Sequence, residues 1–454
     1  MIMRKIIRKL ITTLLVTVTL FSTVIAQAAT DVETWRTDEG AEVYYLHAPE
    51  IPMVDLILSL EAGSIREGDS YGLAAMTANM VTSGTQSLDE EALLLKLDQL
   101  QSSIDASSST YHTLFSLRSL SREDQLNSTL GVLYEMLQSP RFDEKVFKRE
   151  VAQAIDSQKA RLDNPSAIAN ELYYAALYPN SVIGATSEML QKSLAKMSLG
   201  DVKAFQEQYY DAHGAKIIFV GDISEEEAKK VATKISQILG SGEIHPAMAQ
   251  IEPVTMDLTY EQYYNSPQTQ VMMGQPAIDR FSPDYLPLMI GNHLLGGSGL
   301  TSLLMTTIRE KEGLTYGIYS RFAPNFYEGP FTISFSTKNE SVEEAITQTK
   351  AVVNQFINEG PDAELLERAK NNYIGSLVLD LDSNLKLAYA ILNLATYGLP
   401  LDYYETLPEK VRAITPKEIQ EAFKRHVNPQ EMTTVIVGGY VAPDKETRKP
   451  FNDQ

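Results

Sequence analysis

Ser198-Leu199-Gly200-Asp201-Val202, running on to Val220-Gly221-Asp222, is matched later in the chain by Thr415-Pro416-Lys417-Glu418-Ile419, running on to Val437-Gly438-Gly439. The offset is 217 residues at both ends, from 198 to 415 and from 220 to 437. In each copy a Ser or Thr stands where it can cap a short amphipathic helix. An apolar strand follows, Lys216 to Val220 in the first copy and Thr434 to Val437 in the second, and each runs into glycine. Phe142-Asp143 to Arg149 and Pro361-Asp362 to Arg368 add a weaker match of helix starts near the same offset. A period this long means duplicated domains, since solenoid repeats are far shorter.

Around this repeat, Val54, Leu56, Leu58 and Leu60 alternate as a half-buried strand should, and Leu93, Leu97, Leu100 and Ile104 recur at helical spacing. Phe115 and Leu117 lie in a later strand-like segment rich in Ser and Thr. Strands and helices mix without a regular strand and crossover-helix alternation, so the fold class is α+β. Turn and breaker residues gather from Gly240-Ser241-Gly242 to Pro253. This places a linker at 241–256 between an N-terminal domain, 29–240, and a C-terminal domain, 257–454. Gly296-Gly297-Ser298-Gly299 lacks the spacing and ending of a nucleotide-binding loop and reads as a turn.

The chain has 454 residues, 44% of them hydrophobic, which suits more than one globular core. Arg4-Lys5 and Arg8-Lys9, an apolar run from Leu10 to Ile25, and Ala26-Gln27-Ala28 have the layout of a secretory signal peptide covering 1–28. An uncleaved membrane anchor is the alternative, but Thr12, Thr13, Thr17, Thr19 and Thr23 dilute the run. Cleavage and export to a bacterial periplasm, with no stable membrane insertion afterwards, is the expectation. Without cysteine, disulfides and thiolate metal sites are excluded. The formal charge of −20 becomes −24 once the four cations of the leader are removed, and that sign argues against nucleic acid as a partner.

Ala62-Gly63-Ser64, Arg66-Glu67, Gly72 to Met80 and Gly84-Thr85 together resemble the N-terminal frame of the M16 family, the pitrilysin, insulinase and processing-peptidase group. Where that family writes H-x-x-E-H, this chain writes Ala75, Ala78 and Asn79. Two His four apart share a helix face and can hold zinc, with the Glu activating water. A methyl group has no lone pair and an amide oxygen is a poor zinc ligand, so this frame implies no metal here. The resemblance also calls for a downstream glutamate ligand; counted from Asn79, that window spans Ala154 to Lys159, where Asp156 is the only acid. Asp156 reads either as a relic of that ligand or as a solvated helix carboxylate near Lys159. The six histidines, His47, His112, His213, His245, His293 and His426, include no pair at helical ligand spacing.

Ile308-Arg309-Glu310-Lys311-Glu312-Gly313-Leu314-Thr315-Tyr316 resembles the segment by which the second M16 domain supplies an Arg/Tyr pair to substrate. Arg309 and Tyr316 keep its seven-residue spacing. The plain alternative pairs Arg309 with Glu310 or Glu312 and buries Tyr316. Ser102 to Ser108 resembles the family's substrate-binding edge strand, with Asp105-Ala106 at its Asn-Ala pair, although a Ser-rich turn into a strand fits equally.

The resemblance spans nearly the whole mature chain and implies two tandem domains, each an antiparallel sheet flanked by helices, together forming half of a clamshell. It also implies a non-catalytic, peptide-binding subunit. Such a subunit binds no cofactor itself and lends Arg309 and Tyr316 to the zinc site of an H-x-x-E-H-bearing M16 partner. The rival readings are an exported scaffold or a peptide-binding protein that works alone; an active zinc peptidase comes last.

Overall fold

A computed structural model describes residues 32–242 and 245–440. The leader reading falls outside the described residues. Along the first half run β1 (Glu33–Arg36), β2 (Glu42–His47), β3 (Met53–Leu60), α1 (Leu73–Thr82), α2 (Glu90–Gln99), β4 (Ser103–Ser108), β5 (Thr113–Leu120), α3 (Glu123–Gln138), α4 (Glu144–Arg161), α5 (Pro165–Leu177), α6 (Ser187–Leu194), α7 (Leu199–Tyr209), β6 (Lys216–Gly221) and α8 (Glu225–Leu239). The second half holds β7 (Thr259–Tyr263), β8 (Gln268–Ile278), α9 (Tyr285–Asn292), β9 (Thr315–Phe322), β10 (Gly329–Lys338), α10 (Val342–Glu359), α11 (Ala363–Leu379), α12 (Asn384–Tyr397), α13 (Tyr403–Ala413), α14 (Pro416–His426) and β11 (Thr433–Gly438).

The strands form two sheets, ordered β1-β2-β6-β3-β5-β4 and β7-β11-β8-β10-β9. Leaving out β1, the second order repeats the first strand for strand, and it does so in chain order. Pairing is antiparallel except for one parallel pair in each sheet, β2 with β6 and β7 with β11. The helices that drew attention to the repeat carry matching caps: Ser198 with Asp201 and Thr415 with Glu418 each form a reciprocal capping box. Asp143 and Asp362 likewise accept backbone N–H groups at the starts of α4 and α11.

Two helices exchange places between the halves. The first half's α5 packs on β11 and β8 of the second sheet, while α12 of the second half packs on β6 and β3 of the first. This explains why β3 is buried on both faces, Asp55, Ile57 and Ser59 included, where the alternation of leucines suggested one wet face. Ile57, Ile218 and Val220 meet Ala388, Ile391 and Leu392 of α12. On the reciprocal side the buried Tyr173 hydroxyl donates to the Phe331 carbonyl at 3.0 Å and lies 3.2 Å from Thr332 Oγ1. Gly274 is needed beneath it: φ is +159° there, and a Cβ would stand 2.4 Å from the Tyr173 hydroxyl.

The helical spacing read through Ile104 ends earlier. Gln101 takes φ 52°, outside the range a helix allows, and Ile104 points inward from β4. Gly296-Gly297 form no simple turn. They close a π-helical continuation of α9, His293–Gly297, pressed against β9 so closely that a Cβ on Gly296 would lie 2.6 Å from the Ser320 nitrogen.

Candidate functional site

Helix α1 buries Leu73, Met76 and Met80 in the first core and turns Ala75 and Asn79 to solvent, one turn apart on one face. Ala78 is buried. The helix start is fixed by Glu67, a buried carboxylate that accepts from the Gly72 nitrogen at 3.0 Å and the Ala74 nitrogen at 2.9 Å. Burial pushes its pKa up to about 7, against the pull of these N–H groups in the other direction.

The amide of Asn79 is already engaged. Its Nδ2 donates to Glu150 on α4 at 3.0 Å, and Ser83 Oγ lies 2.9 Å from its Oδ1. Arg149 then ties Glu150 to Glu90, reaching Glu90 at 2.7 and 2.6 Å and Glu150 at 3.0 and 2.6 Å. Two methyl groups and a committed amide do not fit zinc. Instead, a hydrogen-bonded clip joins α1 to α4.

Asp156 does not take part. It stands on the outer side of α4 with its side chain 75% exposed, 3.0 Å from Lys159, as a solvated helix carboxylate. The acid that faces α1 is Glu150, which the sequence reading missed because a residue count along a helix carries no phase. Asp143, as N-cap, sets that phase and was the available signal.

Asp105 and Ala106 lie on β4, which among the described residues pairs with β5 alone, leaving its other edge open. Asp105 is exposed, Ala106 half-buried, and β4 packs beside α1. The first half therefore sets α1 beside an edge strand, the kind of element that β-augmentation extends.

Arg309 and Tyr316 are carried by the second half. A second π-helical turn, Met305–Lys311, holds Arg309; such turns are rare and frequent at functional sites. The Arg309 side chain makes no ion pair or hydrogen bond among the described residues, so it does not pair with Glu310 or Glu312. Tyr316 is 74% exposed and is no core aromatic. It sits on β9, an edge strand of the second sheet among the described residues and the topological counterpart of β4. The turn bearing Arg309 packs on β9 and α10.

Comparison with known proteins agrees with the duplicated fold. The family model described as Insulinase (Peptidase family M16) matches residues 42–188, and that described as Peptidase M16 inactive domain matches 196–373. The crystal structure of a peptidase M16 inactive domain from Pseudomonas fluorescens superposes with a TM-score of 0.85 at 32% identity, over 92% of this chain and 99% of that one. A non-peptidase homolog, YmxG, of Helicobacter pylori is 26% identical over 85% of this chain and 89% of its own length. An uncharacterized zinc protease, YmxG, of Bacillus subtilis is 24% identical over 78% and 85%. Subunit alpha of the human mitochondrial-processing peptidase is 22% identical over 69% of this chain and 64% of its own. With two M16 domains in tandem, the duplicated sheets they require and a close structural relative along nearly its whole length, the chain belongs to peptidase family M16.

Proposed function

We propose that this chain is a non-peptidase M16 subunit that binds peptides and lends Arg309 and Tyr316 to the active site of an M16 partner bearing H-x-x-E-H. The observation that carries this reading is a contrast. The motif face of α1 carries methyl groups and a hydrogen-bonded clip in place of ligands, while Arg309, half-buried, makes no side-chain pairing among the described residues and Tyr316 is exposed. A guanidinium and a phenol can both donate to a peptide carbonyl oxygen as it gains negative charge, and they need no metal in their own chain. Zinc and the general base belong to the partner, and the hydrolytic step with them. The leader layout supports export to the periplasm.

Reconstitution tests the proposal. The mature chain and an exported M16 chain with an intact H-x-x-E-H from the same genome are purified, mixed, run on gel filtration and assayed on quenched fluorescent peptides. Co-elution with cleavage only in the mixture is the expected result. A partner that is fully active alone, or a mixture that never associates, overturns it. The open edge of β4 supports a second reading, in which the chain captures extended peptides unaided. Peptide binding by the isolated chain, with no association and no cleavage, would favour that reading.

A further inference from the structure

The register of β9 against β10 changes beside Tyr316. Phe335 opposes Ile318 and Thr337 opposes Thr315, so Tyr316 and Gly317 together face the single residue Ser336. This is a β-bulge, one extra residue in the edge strand. Its effect on Tyr316 follows from the two-residue period of a strand. Ile318, Ser320 and Phe322 are all buried. In a regular strand Tyr316 would share their face and point into the core. With the extra residue, Thr315 and Ile318 both point inward and Tyr316 swings out to join exposed Tyr319 and Arg321.

Thr315 closes the bulge. Its buried hydroxyl lies 2.7 Å from the Ser336 carbonyl and 2.9 Å from the Gly317 carbonyl, and it accepts from the Gly317 nitrogen at 3.2 Å. One hydroxyl thus serves backbone groups that a bulged ladder leaves without regular partners. Across the bulge the Tyr319 ring closes over Gly317, where a Cβ would meet its Cε2 at 3.2 Å.

We infer that Thr315 is the positioning residue for Tyr316: its hydroxyl holds the bulge that aims the phenol outward. The inference rests on the trans-acting reading for its catalytic meaning, while its structural content stands on this chain alone. The test uses the full mature chain with 3-fluorotyrosine at position 316, read by fluorine NMR. The parent should give one narrow resonance at an exposed-tyrosine shift. Thr315→Val, which keeps shape and removes the hydroxyl, should broaden or split that resonance, and Thr315→Ser should restore it. Thr315→Ala serves as a second hydroxyl-free variant should the valine variant melt early. A resonance unchanged in a folded Thr315→Val or Thr315→Ala chain overturns the inference.

In the reconstituted pair, assayed on the same quenched peptides, Thr315→Val should lower kcat about tenfold with little change in KM, a loss smaller than that of Tyr316→Phe and reversed in Thr315→Ser. If Tyr316→Phe leaves the pair's rates untouched, the trans-acting reading falls while the NMR result still decides the role of Thr315. If Tyr316→Phe slows the pair and Thr315→Val does not, the positioning role is wrong.

Discussion

Glu67 offers a pH test of how the motif helix is anchored. Its carboxylate is buried at the N-terminus of α1, where two opposing effects act on it: desolvation favours the neutral acid, and the N–H groups of Gly72 and Ala74 favour the anion. Burial wins, and the pKa rises from its ordinary 4.5 to about 7. The folded chain then holds a proton that the unfolded chain releases between those values. This contribution to stability is fully present below pH 4.5 and is lost as pH rises to about 7, a fall of about 3 kcal/mol at 1.36 kcal/mol per unit. His112 works in the opposite sense: burial and the nearby Lys216 ammonium lower its pKa to about 4, so its contribution is lost as pH falls from 6.5 through 4. The wild-type curve therefore mixes two slopes. The difference between wild type and Glu67→Gln isolates one of them, because Gln does not titrate and His112 cancels. Urea unfolding of both proteins from pH 4.5 to 8 should show wild type losing about 3 kcal/mol relative to the variant, whatever the constant offset from the changed hydrogen bonds. A difference flat to within about 0.5 kcal/mol would show that Glu67 is not held protonated by burial, and one that grows with pH would mean that the helix N-terminus outweighs burial.

Tyr173→Phe removes the hydroxyl that bonds α5 to the second sheet and takes away the partner of the buried Thr332 hydroxyl, so it should cost about 2 kcal/mol while unfolding stays a single transition. Calorimetry checks this, and separate transitions for the two halves would show that the helix exchange does not couple them. The triple substitution Ala75→His, Ala78→Glu and Asn79→His should bind zinc weakly and cleave little, because residue 78 is buried and Glu150 is held by Arg149. Metal analysis after dialysis with a peptide assay decides, and one tightly held zinc with full activity would show that Glu150 or another group completes the site unaided.

The duplication was legible in sequence because helix caps are local chemistry: Ser198, Thr415, Asp143 and Asp362 each sit where a helix begins, and each copy repeats the other. The exchange of α5 and α12 was not. An apolar face announces that it will be buried but not which sheet will bury it, so β3 read as half-wet when a helix from the other half covers it. Within the site, residue identities showed which chemistry was missing at 75, 78 and 79. They did not show what fills the gap, since the contact of Asn79 with Glu150 depends on how two helices cross. Tyr316 carried a similar ambiguity. Its outward aim depends on one extra residue opposite Ser336, a register change that strand alternation alone would have placed on the wrong face.

Arg309 and Tyr316 are proposed to act on substrate in a partner's active site. Steady-state kinetics of the reconstituted pair, with assembly confirmed by gel filtration, tests this role most directly. Donors aimed at a developing oxyanion act mainly in the transition state, so Tyr316→Phe should lower kcat roughly 10- to 1,000-fold with the complex intact, and Arg309→Ala at least as much, with a raised KM if the guanidinium also holds the ground state. Wild-type kcat and KM in both variants would show that neither side chain acts on substrate and leave this chain a scaffold or a peptide-binding protein.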